Sequence, residues 1–236
     1  YPAIIYQQKR NAGDQILHIE HLSYAKNGAT LFKDLELFVN KGDKIAFLSK
    51  DSLAISSLFQ ILVNELTPTK GEFKYGQTIT TAYLPGNNEK YFQSDDNLVD
   101  WLRQFAEEAN KDEVYIRGFL GKMLFSGEEV FKKCSVLSGG EKVRCMISRM
   151  MLAGANLLIL DEPTNHLDLE SIQAFNNALK DFPGTVLFTS HDHTFTQTVA
   201  NRIVEITPNG FIDKLMTYDE YVESEKVAEQ KEALYA

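Results

Sequence analysis

A chain of 236 residues with 44% hydrophobic, 24% charged and 11% aromatic residues can bury a core as one large domain, or as one domain with an inserted subdomain, which excludes wholesale disorder and a coiled-coil rod. Twenty-four Lys and Arg against 33 Asp and Glu leave a net charge of −9, a poor match to the basic footprint of a nucleic-acid binder. Apolar runs such as Leu157 to Leu160 fall far short of the ~20 residues that span a bilayer, so no transmembrane segment and no membrane partner are expected.

Only two cysteines occur, Cys134 and Cys145, so no disulfide framework is expected and a reducing, cytoplasmic setting is the default. The opening Tyr1-Pro2-Ala3 lacks both Met and a basic region with an apolar stretch behind it, and reads as the start of a fragment. Residues 1–14 are polar and irregular and read as a linker remnant. Residues 16–22 and 31–39 then show period-two strands around a Lys26-Asn27-Gly28 turn, the beginning of a small antiparallel layer. A short apolar strand at 44–48 leads through a tight loop to helical spacing over 56–66. Strands at 72–75 and 79–84 end in the Pro85-Gly86-Asn87-Asn88 cluster. From Asn97, a candidate N-cap, to about Val136 the spacing is helical and reads as an inserted subdomain. Beyond it, helix 139–153, strand 157–160, helix 169–180, strand 185–189, helix 194–201 and strand 203–206 alternate as in a parallel α/β sheet, and a charged helix follows from Asp219.

Chemistry concentrates at two places. The apolar run Leu157 to Leu160 ends in Asp161-Glu162, two carboxylates at the end of a strand where parallel sheets bind ligands. Asp161 could hold Mg²⁺ and Glu162 could orient or deprotonate an attacking water, although both could also merely cap the next helix. Upstream, Leu137-Ser138-Gly139-Gly140-Glu141 opens a helix, leaving backbone N–H groups and a serine hydroxyl at the positive end of its dipole; taken alone, it could be any capped turn.

Together, Leu-Ser-Gly-Gly-Glu and the run Leu-Asp-Glu-Pro-Thr-Asn-His-Leu-Asp resemble the nucleotide-binding domain of ATP-binding cassette (ABC) proteins, over roughly residues 15–215. The resemblance implies an α/β P-loop NTPase fold with a parallel core sheet, a small antiparallel β layer and an inserted helical subdomain. It places the domain at 15–218, the helical insert at about 87–136 and a C-terminal helix or linker at 219–236. It makes Ser138, Gly139, Gly140 and Glu141 the signature motif, Asp161 and Glu162 the Walker B end, Asn165 to Asp168 the D-loop and His191 the switch histidine that would contact the γ-phosphate. Tyr24 could stack on adenine or simply pack. The Asn165-His166 wording resembles the soluble F subfamily, whose members carry two cassettes in one chain and in many cases act on ribosomes. On that likeness this is the second cassette, its partners the first cassette of the same chain and, through the full-length protein, the ribosome with its rRNA and tRNA.

One segment departs from the family. Ser49, Lys50, Asp51, Ser52, Leu53, Ala54, Ile55, Ser56 and Ser57 stand where G-x-x-x-x-G-K-[ST] is expected, so every glycine and the lysine are replaced. Forcing a non-Gly residue into such a loop's positive φ costs about 1–3 kcal/mol. Losing the lysine removes a contact of roughly 1.5–3 kcal/mol, about ten- to 150-fold in affinity. Ser56, the Mg²⁺-ligand position, is retained in type, and Gly86 stands where a glutamine is expected. Three readings follow: a cassette that lends its signature motif to an ATP and Mg²⁺ site on a partner cassette while its own loop binds weakly, a docking module without nucleotide, or a transporter's ATP-binding subunit. A metal cluster of His166, His191 and His193, the last two on one strand face, is the weakest alternative.

Overall fold

The computed structural model describes residues 1–236, in two sheets with helices packed on them. Strands β1 (Gln15–Lys26) and β2 (Ala29–Asn40) form a hairpin in which Leu17 faces Val39 and Ile19 faces Leu37. Asn27 and Gly28 turn it with positive φ values of 53° and 81°, the pattern of a type I′ turn. After β3 (Lys44–Leu48) and α1 (Ser52–Leu62), β4 (Lys70–Tyr75) pairs with β1 and completes the antiparallel order β2-β1-β4.

The second sheet has the order β5-β6-β7-β3-β8-β9, formed by β5 (Thr81–Leu84), β6 (Leu157–Asp161), β7 (Thr185–Thr189), β3, β8 (Arg202–Thr207) and β9 (Gly210–Lys214). Its pairings are parallel except that β9 runs antiparallel to β8, so the sheet is mixed rather than wholly parallel. Both faces are covered, and alternation divides the core in two. Ile45, Phe47, Ile159 and Leu187 pack with α1 and the antiparallel sheet, whereas Ala46, Leu158, Leu160 and Phe188 pack with the remaining helices.

Those helices are α2 (Leu98–Arg103), α3 (Glu113–Lys122), α4 (Gly139–Ala153), α5 (Leu169–Asp181) and α6 (His193–Val199), with short 3₁₀ turns between residues 89 and 136. Asn97 caps α2 as expected, its side chain accepting from the Asp100 N–H. Residues 1–14 are irregular but not loose: Ile4, Tyr6 and Ala12 are buried, and Lys9 N–H bonds the Gly154 carbonyl. The single charged helix expected from Asp219 is two, α7 (Tyr218–Glu223) and α8 (Glu225–Tyr235), divided at Ser224, whose hydroxyl caps α8 by accepting from Val227 N–H. No helix is long and apolar enough to cross a membrane.

β3 and β7 are neighbours, yet α1 leaves β3 toward one face and α6 leaves β7 toward the other. That divergence opens a crevice at the carboxyl ends of the strands, where α/β sheets take ligands.

Candidate functional site

Asp161 ends β6 and is buried, with its Oδ2 accepting from the Ser56 hydroxyl at 2.5 Å. Burial pushes its pKa up, and the Ser56 bond offsets this only in part. Gly86, two residues past the end of β5, closes on this carboxyl: a β-carbon there would lie 3.3 Å from its Cγ and Oδ2. Glu162 turns the chain out of the strand with a φ of +51°. Its Oε2 accepts from the His191 N–H at 3.0 Å and its Oε1 lies 3.2 Å from His191 Nε2. Burial raises its pKa too, against these His191 contacts.

Both carboxyl groups are therefore held toward the protonated form by the fold. Their contribution to stability is present below the ordinary carboxylate range and is lost as pH rises through their raised native values, so at neutral pH the charged pair costs the fold energy. Asp161→Asn, which keeps an acceptor for Ser56, is expected to raise the thermal midpoint at pH 7 by about 2–4 °C and to flatten its dependence on pH between 4 and 7. Calorimetry across that range checks both.

Ser138 N-caps α4 in a capping box: Glu141 N–H donates to Ser138 Oγ at 3.2 Å and Ser138 N–H to Glu141 Oε1 at 3.1 Å. Burial would raise the Glu141 pKa, but the Ser138 bonds and the Lys132 ammonium at 3.0 Å leave it lowered. The head of α4 is thus rigid. The loop 165–168 passes directly over it, with His166 at a φ of +66°. A β-carbon on Gly140 would meet the His166 carbonyl oxygen at 2.7 Å, and one on Gly139 its ring at 3.4 Å. Asp168 caps α5, accepting from Ser171 N–H at 2.7 Å, and hydrogen bonding from Ser171, its side chain first and its backbone second, lowers the Asp168 pKa. A cavity of about 330 Å³ runs between Asn87, Gly139, Lys142, Glu162 and His166. The sequence candidates at the end of β6, in the loop 165–168 and at the head of α4 are thereby brought to one crevice.

The other candidates behave differently. Tyr24 is half-buried and tilts against Phe32 at 6.4 Å between ring centroids. Ser57 lies on the buried face of α1 with Ile55. His191 and His193 do not share a strand face, because β7 ends at Thr189 and Asp192 caps α6. His193 instead faces Asp219 at 2.6 Å, so the histidines diverge to separate carboxylates.

The loop before α1 is built from its own groups. Helix α1 starts at Ser52, not at 56, because the Asp51 carboxylate accepts from Leu53 N–H at 3.0 Å and the Asp51 carbonyl from Ala54 N–H. Asp51 N–H is taken by the Ser49 hydroxyl and Lys50 N–H by the Tyr235 hydroxyl, each at 3.2 Å. No residue from 48 to 57 has positive φ, and Ile55 is buried. Ser56 and Asp161 offer oxygen ligands of the kind Mg²⁺ takes. The loop beside them suits a triphosphate poorly, since a fixed carboxylate already sits at the head of α1.

Sequence reasoning missed Glu205, Tyr221, Lys231 and Tyr235. Glu205 lies buried in β8, where its Oε1 accepts from Tyr221 at 2.7 Å and its Oε2 from Tyr235 at 2.6 Å, with Lys231 Nζ 3.6 Å away. Burial and the Glu205 bond hold both tyrosines protonated. The one available signal was an acid inside the apolar run Ile203-Val204-Glu205-Ile206.

Carboxylates at a strand end, a capped helix head and a strand–loop–helix corner on one crevice define an α/β P-loop NTPase of the ABC ATPase fold. The family model described as "ABC transporter" matches residues 32–165, more than half of the chain, which belongs to that family. Over its whole length it is 53% identical to the ABC transporter ATP-binding protein YkpA of Bacillus subtilis, covering 44% of that protein. It is 30% identical to ABC transporter F family member 5 of Arabidopsis thaliana, over 97% of this chain and 33% of that protein. The chain thus spans less than half the length of these relatives. Among solved structures, the ATP-binding cassette MJ0796, a dimer in a post-hydrolysis state bound to ADP and Pi, superposes with a TM-score of 0.72 at 14% identity, over 85% of this chain and 99% of that one.

Proposed function

We propose that this chain is the second cassette of a soluble, cytoplasmic F-subfamily ATPase, and that it serves ATP hydrolysis mainly as a donor. Residues 15–218 form the cassette, 87–136 its helical insert and 219–236 a C-terminal segment. Ser138, Gly139, Gly140 and Glu141 reach the triphosphate of an ATP, with its Mg²⁺, bound on the loop of a first cassette in the same protein, and Asp168 lies beside that interface. Glu162 and His191 would be base and γ-phosphate contact of this cassette's own face, where Ser56 and Asp161 would hold the metal. That face binds nucleotide weakly because loop 49–55 has Ile55 in place of the phosphate-binding lysine, no positive φ and a capping carboxylate.

The observation that carries the reading is the contrast between two helix heads. α4 presents a serine and two glycines held ready by a capping box, whereas α1 presents Asp51. The likeness to F-family members, and the dimeric state of the cassette MJ0796, support a composite site. The resemblance to the F subfamily also supports a ribosomal partner, testable by co-sedimentation with ribosomes in Mg-ATP.

In the full-length protein, Ser138→Ala is expected to lower ATP turnover more than tenfold and Glu162→Gln less than about threefold. Steady-state hydrolysis decides it. A large loss from Glu162→Gln with none from Ser138→Ala would place the chemistry on this cassette's own loop, and no loss from either would favour the docking module.

A further inference from the structure

The corner at residues 49–53 is occupied by the chain itself. Helix α8 is fixed at both ends: Ser224 caps its start, and at its far end Asn209 Nδ2 donates to the Leu234 carbonyl at 2.8 Å and the Ala236 carbonyl at 3.3 Å. Leu234 packs onto Gly210, where a β-carbon would lie 3.0 Å from its Cδ2 at a φ of +155° that favours glycine. Lys231 and Tyr235, four residues apart, share one helical face, and that face meets the corner. The Tyr235 hydroxyl accepts from Lys50 N–H while donating to Glu205, and Lys50 Nζ lies 4.2 Å from the centroid of its ring.

We propose that the corner at 49–53 is a socket for the chain's own helix α8, with the Tyr235 hydroxyl in place of a phosphate oxygen as the resident partner of the loop amide. The replacements in the loop suit this partner. Without the lysine, the corner has no fixed cation for a triphosphate, and Lys50 instead covers the tyrosine ring. Buried Glu205 orients the phenol so that its lone pairs face Lys50 N–H. Because α8 is tethered, its effective concentration at the socket is of the order of millimolar or above, beyond what a weakly held free anion matches. The inference stands apart from the donor reading, since it concerns α8 and not α4.

Hydrogen exchange on the full-length protein tests it. Tyr235→Ala is expected to speed exchange of the amides in 49–53 by about three- to tenfold while the α5 amides stay unchanged. Asn209→Ala touches neither the loop nor Glu205. It is expected to speed exchange in 226–235 and in 49–53 together. Adding millimolar Mg-ATP to the unaltered protein is expected to leave the exchange of 226–235 as it was. The proposal is overturned if Asn209→Ala frees α8 while the 49–53 amides keep their protection, or if Mg-ATP itself releases α8. Should Tyr235→Ala unfold the protein, the Asn209→Ala and Mg-ATP arms still decide.

Discussion

Gly140→Ala in the full-length protein is expected to lower ATP turnover about a hundredfold while the fold is kept. One added methyl group is enough because its β-carbon would sit 2.7 Å from the His166 carbonyl oxygen, a backbone atom fixed between Glu162 and the capped start of α5. Either the head of α4 or the D-loop must move by several tenths of an ångström. The groups that move are those proposed to meet the partner's triphosphate, and losing one preorganised donor of that sort costs 10²–10³ in rate. Stability should fall by no more than about 2 kcal/mol, since overpacking against the His166 carbonyl, about 1–3 kcal/mol, is partly offset by the about 1 kcal/mol that favours alanine over glycine in a helix. Gly139→Ala, whose β-carbon meets only the His166 ring at 3.4 Å, is expected to lose less than about tenfold. Turnover and thermal midpoints of the two variants check this. Equal, small effects would mean that the glycine pair serves only to let His166 pass.

The same geometry shows where sequence reading stops. The strands at 44–48 and 185–189 and the helix at 139–153 were legible residue for residue, because continuous apolar runs and a Ser-Gly-Gly cap leave little choice. α1 starts four residues earlier than its apolar spacing indicates, since Asp51 is an N-cap that the loop template hid. β9 escaped because Gly210 to Lys214 has only two apolar residues, and its antiparallel pairing makes the sheet mixed. The strand-end acids and the capped glycines could be found as motifs, but the His166 carbonyl lying on Gly140 could not. That contact depends on a left-handed backbone at a histidine, which no side-chain pattern specifies. Nor could the pairing of Tyr235 with Lys50, 185 residues apart, be read from either segment alone.

The second large effect lies beneath the crevice. Arg202 opens β8 almost fully buried, its Nε and Nη2 donating to the two oxygens of Asp213 at 2.8 and 2.6 Å and its Nη1 to Asp43 at 2.9 Å and the Phe38 carbonyl at 2.8 Å. One planar fork thus ties β8 to β9, to the turn before β3 and to β2 of the other sheet, and its bond to Asp213 foremost holds its own pKa above the ordinary value. Removing it strands two carboxylates that are themselves mostly shielded, a situation that costs about 3–5 kcal/mol. Arg202→Ala is therefore expected to destabilise the chain by about 3 kcal/mol or more, lowering the thermal midpoint by roughly 6–12 °C. Arg202→Lys keeps the charge but not the bidentate geometry and should recover less than half of that. The loss should shrink in an Arg202→Ala, Asp213→Asn double variant, because one of the stranded charges is gone. Urea unfolding of the three variants and of Asp213→Asn alone measures these differences, and purely additive effects in the double variant would mean that packing of the arginine stem, rather than the paired charges, holds the two sheets together.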